Sequence, residues 1–177
     1  MIISVEKAKE DIDFKNWSDQ RIERKLKAIE HTIRVYTNNN FQDRGFRVKA
    51  DIVEGKFISE SLIPFKVGDT IMISESDLQS DCLCVVSEVN DNTFTVNEEV
   101  ADDNYVLITR VKYPDDIVDC ALNLLEWEVK NRSKVGVKSE TLSRHSVTYY
   151  DQDTNNQVMG YPVSLLGCLS SYMKARW

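Results

Sequence analysis

The chain has 177 residues, enough for one well-buried core or for a core that carries a small inserted module. Apolar residues make up 42% of it, within the ordinary globular range, which argues against a disordered chain. A formal net charge of -7 argues against a general DNA or RNA binder, whose affinity rests on Lys and Arg neutralising phosphates, but not against a protein past which nucleic acid slides.

The opening MIISVEKAKEDID has no basic region followed by an apolar stretch, so a secretory signal is not expected. No apolar run approaches the roughly 20 residues of a membrane span. Ser4 is placed to cap a short helix over Val5, Ala8 and Ile12. A stronger helix follows Ser18, where Ile22, Leu26, Ile29, Ile33 and Tyr36 are spaced to form one apolar stripe. Thr37-Asn38-Asn39-Asn40 stops it, because asparagine competes with the backbone ladder and tolerates a left-handed turn.

From Phe46 the period changes from helical to alternating. FRVKADIVEGKFI, DTIMIS, DCLCVVSEV, NTFTVNEE and NYVLITRV read as short strands separated by turn signals at Glu54-Gly55, Val67-Gly68-Asp69 and Asn90-Asp91-Asn92. Strands of this length and spacing predict a small antiparallel barrel or sandwich. Residues 46–113 hold six Lys and Arg against thirteen Asp and Glu, a composition break that marks a separate module.

Pro114, followed by Asp115 and Asp116, suits the start of a helix, with Ile117, Val118, Ala121, Leu122, Leu125 and Val129 as its buried stripe and Gly136 near its end. SETLSRHSVTYYDQ (139–152) is rich in hydroxyls and has strand propensity at 147–150 without an evident partner strand nearby. Pro162 opens a last helix with Val163, Leu165, Leu166, Leu169, Tyr172 and Met173 on one side. The predicted fold class is α+β: a small antiparallel bundle of about four helices (1–45 and 112–177) with an inserted antiparallel β-barrel or sandwich (46–111).

No catalytic, metal or cofactor site is expected. Ser143 and Ser146 flank His145, but there is no GxSxG and no nearby glycine to expose a nucleophile. The other histidine, His31, lies in mid-helix. DQDTNNQ (151–157) alternates Asp151, Asp153 and Asn155 like a calcium loop, yet lacks the glycine and the final glutamate. Phosphate-binding glycine motifs are absent. Cys82 and Cys84 form a CxC without a metal-type partner pair, so all four cysteines are expected as free, buried thiols in a reducing compartment. An orphan β-capable segment such as 147–150 suits pairing with another chain's edge, or with a strand of the chain's own β module.

The stretches SVEKAKEDI, SDQRIERKLKAIEHTIRVYTNNNF, PDDIVDCALNLLEWEVKNRSKVGVKSETLSRHSVTYY and GYPVSLLGCLSSYMKARW resemble the head–tail connector (adaptor) proteins of tailed bacteriophages, over about residues 4–44 and 112–177. What carries the likeness is a long helix with an Asn-rich stop, a Pro-started helix, a serine-rich linker, a Tyr-Pro start to the final helix and a basic, aromatic chain end. The large β insertion departs from the smallest members. The resemblance implies a non-enzymatic structural protein of the virion neck, assembled in the host cytoplasm as a ring, commonly dodecameric, beneath the portal. Its partners would be the portal protein, neighbouring copies of itself and a downstream stopper or tail-completion protein, with DNA passing through the channel without sequence-specific binding and no membrane involved. Tyr172, Lys174, Arg176 and Trp177 then become portal contacts, and Ser143, Arg144, His145, Val147, Tyr149 and Tyr150 ring or stopper contacts. Loss of Tyr172 to Trp177 is expected to leave the fold largely intact but to abolish portal docking. The alternative is a nucleic-acid-binding small barrel on a helical carrier.

Overall fold

A computed structural model describes residues 1–131, 139–142, 145–148 and 157–175, with the backbone alone at 139–142 and 145–148. Contacts divide the chain into two compact units, one of Met1 with 40–113 and one of 2–39 with 114–177. The architecture is α+β, with four helices among the described residues and a closed six-stranded antiparallel barrel.

In the helical unit, Ser4 and Ser18 cap α1 (Val5–Asp11) and α2 (Asp19–Thr37) by accepting from the amides of Lys7 and Arg21. Ile22, Leu26, Ile29 and Ile33 of α2 are fully buried. The last turn is buried through Thr37 rather than Tyr36, its hydroxyl donating to the Ile33 carbonyl at 2.7 Å. Asn38 then takes the left-handed conformation (φ 49°) and ends the helix.

The next helix, α3 (Asp115–Asn131), differs from expectation in two ways. Pro114 is not its first residue but precedes it, its carbonyl accepting from the Ile117 and Val118 amides. The buried stripe is Ile117, Cys120, Ala121, Leu124, Leu125 and Glu128, while Val118, Leu122 and Val129 stay partly exposed. Glu128 explains the rotation. Its side chain is 1% exposed and lies 3.0 Å from the Lys25 ammonium of α2, and a buried carboxylate needs such a counter-charge.

The final helix is a 3-10 helix, Val163–Tyr172, not the expected α-helix, and Pro162 sits before it as its cap residue. At three residues per turn, positions i and i+3 eclipse, so Leu166 and Leu169 share the buried face, while Val163 at the helix start and Met173 beyond its end are exposed. Gly136 and residues 151–156 lie outside the described residues.

Two short two-stranded sheets complete this unit. β7 (Ser139–Leu142) pairs antiparallel with β8 (His145–Thr148), aligning Glu140 with Val147 and Leu142 with His145. The segment expected to lack a local partner therefore has one immediately before it in sequence. β9 (Gln157–Val158) pairs with β10 (Tyr161–Pro162), and Tyr161 is held against Trp127 of α3 at 5.5 Å between ring centroids.

The expectation of four free thiols is also corrected. Cys120 of α3 and Cys168 of the 3-10 helix form a disulfide with a Cα–Cα distance of 6.3 Å, whereas Cys82 and Cys84 are free.

The barrel begins at Gln42, four residues before the expected start, and its spatial order is β1-β2-β5-β4-β3-β6, closing back on β1. The strands are β1 (Gln42–Val53), β2 (Lys56–Ile58), β3 (Thr70–Ser74), β4 (Cys82–Val89), β5 (Thr93–Val96) and β6 (Asp103–Val111). Glu54 and Gly55, both at positive φ, make the two-residue connection between β1 and β2 that such a hairpin demands. Alternate residues point inward: Val48, Ala50 and Ile52 of β1 meet Ile71 and Ile73 of β3, Cys84 and Val86 of β4, and Val106 and Ile108 of β6. Phe57 and Phe94 stack at 4.4 Å in this core, with Phe65 edge-on to Phe94.

Replacing Lys25 by Met should destabilise the helical unit by about 2 kcal/mol, because it removes a counter-charge from a buried carboxylate, and adding Glu128→Leu should recover much of the loss. Urea unfolding measures both; a loss below about 0.5 kcal/mol for the single variant contradicts the pairing. Under denaturing, non-reducing conditions two of the four cysteines should react with a thiol reagent, and reaction of all four contradicts the disulfide.

Candidate functional site

Within the helical unit, the C-terminal segment is tied down residue by residue. The Tyr172 hydroxyl donates to both oxygens of Asp116 at 2.8 and 2.7 Å, a bond that pushes the phenol's pKa up. Asn39 Nδ2 donates to the Tyr172 carbonyl at 3.2 Å. The Lys174 amide donates to the Thr37 carbonyl at 2.8 Å, and Asn38 Nδ2 donates to the Ala175 carbonyl at 2.8 Å. The asparagines that stop α2 therefore also hold the chain end. This alters the expectation that the fold stays largely intact without 172–177: removal from Tyr172 onward would strip partners from Asp116, Thr37, Asn38 and Asn39.

Of the portal-contact candidates, Tyr172 is half-buried, Lys174 is exposed, and Arg176 and Trp177 lie outside the described residues. Of the ring-contact candidates, Ser143, Arg144, Tyr149 and Tyr150 lie outside them too. His145 and Val147 are placed by backbone as the first and third residues of β8.

The barrel carries a second surface that the sequence reading missed. Two irregularities in the β1–β6 ladder build it. Between Asp43 and Arg47 the register slips, so Arg44, Gly45 and Phe46 bulge out of the pairing, all exposed. Phe46 lies under the Arg110 guanidinium, 3.5 Å from its ring centroid, and Arg110 binds Asp43 at 2.6 Å. Further along, an extra residue on β6 puts Tyr105 at φ 59°, a conformation that bulky side chains rarely adopt. Its amide donates to Asp51 at 2.8 Å, and its ring, 68% exposed, lies 4.4 Å beneath the Lys49 ammonium. Lys49 also reaches Glu75 at 3.0 Å. Beside this pair a shallow groove is lined by Arg47, Lys49, Ser61, Leu62, Glu75 and Leu107.

Two carboxylates pin the irregular backbone. The hydrogen bond from Arg110 holds the Asp43 carboxyl below its ordinary value of 3.8. The Ser76 hydroxyl and the Asn104 amide do the same for Asp103. The barrel's thiols are chemically quiet, since burial pushes Cys84 well above the ordinary cysteine range and Cys82 in the same direction. Among the described residues no cluster of His, Cys, Asp and Glu is arranged to hold a metal ion, and no helix is long and apolar enough to cross a membrane.

No protein-family model matches this sequence, and no curated protein is a significant match.

Asp43 and Asp103 are less readily protonated in the folded chain than in the unfolded one, so protonation favours unfolding. Their contribution is present above pH 3.8 and is lost as pH falls through their lower folded values. Asp43→Asn should therefore flatten the acid limb of barrel stability below that pH, followed by thermal melts from pH 5 downward; an unchanged acid limb contradicts the pairing.

Proposed function

We propose that this chain is a structural, non-enzymatic neck protein of a tailed bacteriophage, a helical host with an inserted barrel that assembles as a ring on the portal and prolongs the DNA channel toward the tail. The observation that carries the reading is where the open edges lie. A closed barrel has no edge to offer, whereas β7–β8 is a two-stranded hairpin with an unpaired edge on each side among the described strands, and such a hairpin is marginal alone in water. It sits in the segment that holds the ring-contact candidates, and its His145 and Val147 fall on β8. Addition of a neighbour's strand would complete it.

The chain end supports the same reading. Thr37, Asn38 and Asn39 hold the backbone at Lys174, Ala175 and Tyr172, Asp116 accepts from the Tyr172 hydroxyl, and Arg176 and Trp177 are the next residues in sequence. A basic, aromatic pair in this stretch of sequence suits docking on a partner, where Trp and Arg are the residues that most often dominate the energy.

The nucleic-acid-binding reading draws on exposed Phe46 and Tyr105, each beneath a cation. It is the weaker, because Phe57, Phe65 and Phe94 are buried in the barrel core and residues 67–109 contain no Lys or Arg to meet phosphates.

Electron microscopy of the protein mixed with the portal of its own phage should show a ring of copies on the portal's tail-side face, and Arg176→Ala/Trp177→Ala should reduce occupancy at least about tenfold. A protein that never binds the portal contradicts the proposal.

A further inference from the structure

The charges of the barrel are not scattered. From Val67 to Thr109 the sequence contains ten Asp and Glu and no Lys or Arg, while Arg44, Arg47, Lys49, Lys56 and Lys66 all precede it. The strand order turns this linear bias into a spatial one. β1 and β2 are neighbours in the barrel, and β5, β4 and β3 follow one another around the other side, with β4 three places from β1 in either direction. The barrel strands therefore carry their cations on β1, β2 and β6, a basic sector in which Arg44, Arg47 and Lys49 stand beside Asp43 and Asp51. Strands β3, β4 and β5 carry no cation, and Glu88, with Asp81, Glu98 and Glu99 in the adjoining loops, makes an acidic sector centred on β4.

Each sector has apolar surface at its middle. On the basic side the groove beside β1 presents Leu62, 75% exposed, and Leu107 between Arg47 and Lys49, with Tyr105 adjoining. On the acidic side Leu83 and Val85 alternate with the core residues Cys84 and Val86, so they face outward, half-buried, and the Glu98 carboxylate accepts from the Val85 amide at 2.8 Å. Asp81, Glu88 and Glu99 are exposed around them and form no ion pair among the described residues. An apolar centre within a charged rim is the ordinary anatomy of a protein interface.

We infer that the barrel is a head-to-tail coupler, in which the Arg47–Lys49 sector of one copy receives the β4 acidic sector, around Glu88 and Glu99, of the next copy of this chain. Two unlike faces on nearly opposite sides of one barrel make a heterologous contact, the kind that generates rings rather than two-fold dimers. The strained backbone at Tyr105 then has a use: it turns a large ring outward to cover the mating surface, with Lys49 held over it. The inference rests on the proposed ring and names the faces by which neighbours meet.

Sedimentation velocity on the full chain tests it through a charge swap. Wild type should self-associate, and about tenfold more weakly on going from 50 to 500 mM salt. Arg47→Glu/Lys49→Glu, and separately Glu88→Lys/Glu99→Lys, should each lower the association constant at least about tenfold while far-UV circular dichroism stays unchanged. Mixing the two variants should restore association, because each now supplies the sign that the other lacks. Association of wild type that ignores salt, variants that associate as wild type does, or a mixture that stays monomeric each overturns the inference. The wild-type salt series decides the matter even if a variant fails to fold. Portal binding by the charge-reversed variants separates the two proposals: if they still form wild-type rings on the portal, only the barrel coupling is wrong, and if wild type itself never binds a portal, the neck reading falls.

Discussion

Closure of the β1–β6 ladder is the constraint on which the functional surfaces depend. β1 is long enough to pair with β2 at one end and with β6 along most of its length, and that second pairing seals the barrel. Sealing removes the free edges through which small sheets aggregate. It also fixes which strands stand opposite one another, so a bias in the linear sequence becomes two electrically different sides. The irregularities in the same ladder put Phe46 and Tyr105 outside, each under a cation.

The helical unit solves a different problem. Its two halves come from distant parts of the sequence and must be joined by interactions that cross a long gap. The buried stripes of α2 and α3 supply apolar surface, and Lys25 with Glu128 adds an ion pair whose partners are 103 residues apart. Asp116 at the start of α3 and Asn38 and Asn39 at the end of α2 meet the same C-terminal segment, which places those two helix ends together and makes α2 and α3 antiparallel. The disulfide from Cys120 to Cys168 fixes the 3-10 helix to α3. Among the described strands of this unit, β7–β8 and β9–β10 are both two-stranded sheets with open edges.

The sequence was a good guide where structure is set locally. The four-three spacing of the α2 stripe, the serine caps, the Asn-rich stop and the strand runs from Thr70 to Val111 all express short-range rules, and the structure follows them. It was a poor guide where distant residues decide. α3 offers apolar residues on several sides, and the face that is buried is the one that lets Glu128 reach Lys25, a choice invisible in α3 itself. Burial of Cys120 against a partner 48 residues on had no local signal. The 3-10 form of 163–172 uses residues that would equally fit an α-helix. Tyr105 was overlooked because its exposure comes from a register slip against β1, not from its neighbours. The total charge of the module was legible; its division into two sectors required the strand order.

Amide hydrogen exchange on the full chain, compared between dilute high-salt and concentrated low-salt solution, tests the central claim that copies meet through the hairpin edge and the barrel's unlike sides. The β1–β6 core amides should be slow in both. The amides of Ser139–Leu142 and His145–Thr148, and those of the Ser61–Leu62 and Asp81–Leu83 segments, should slow markedly in the concentrated sample. Exchange that is identical at every concentration, in all of these segments, would contradict the account.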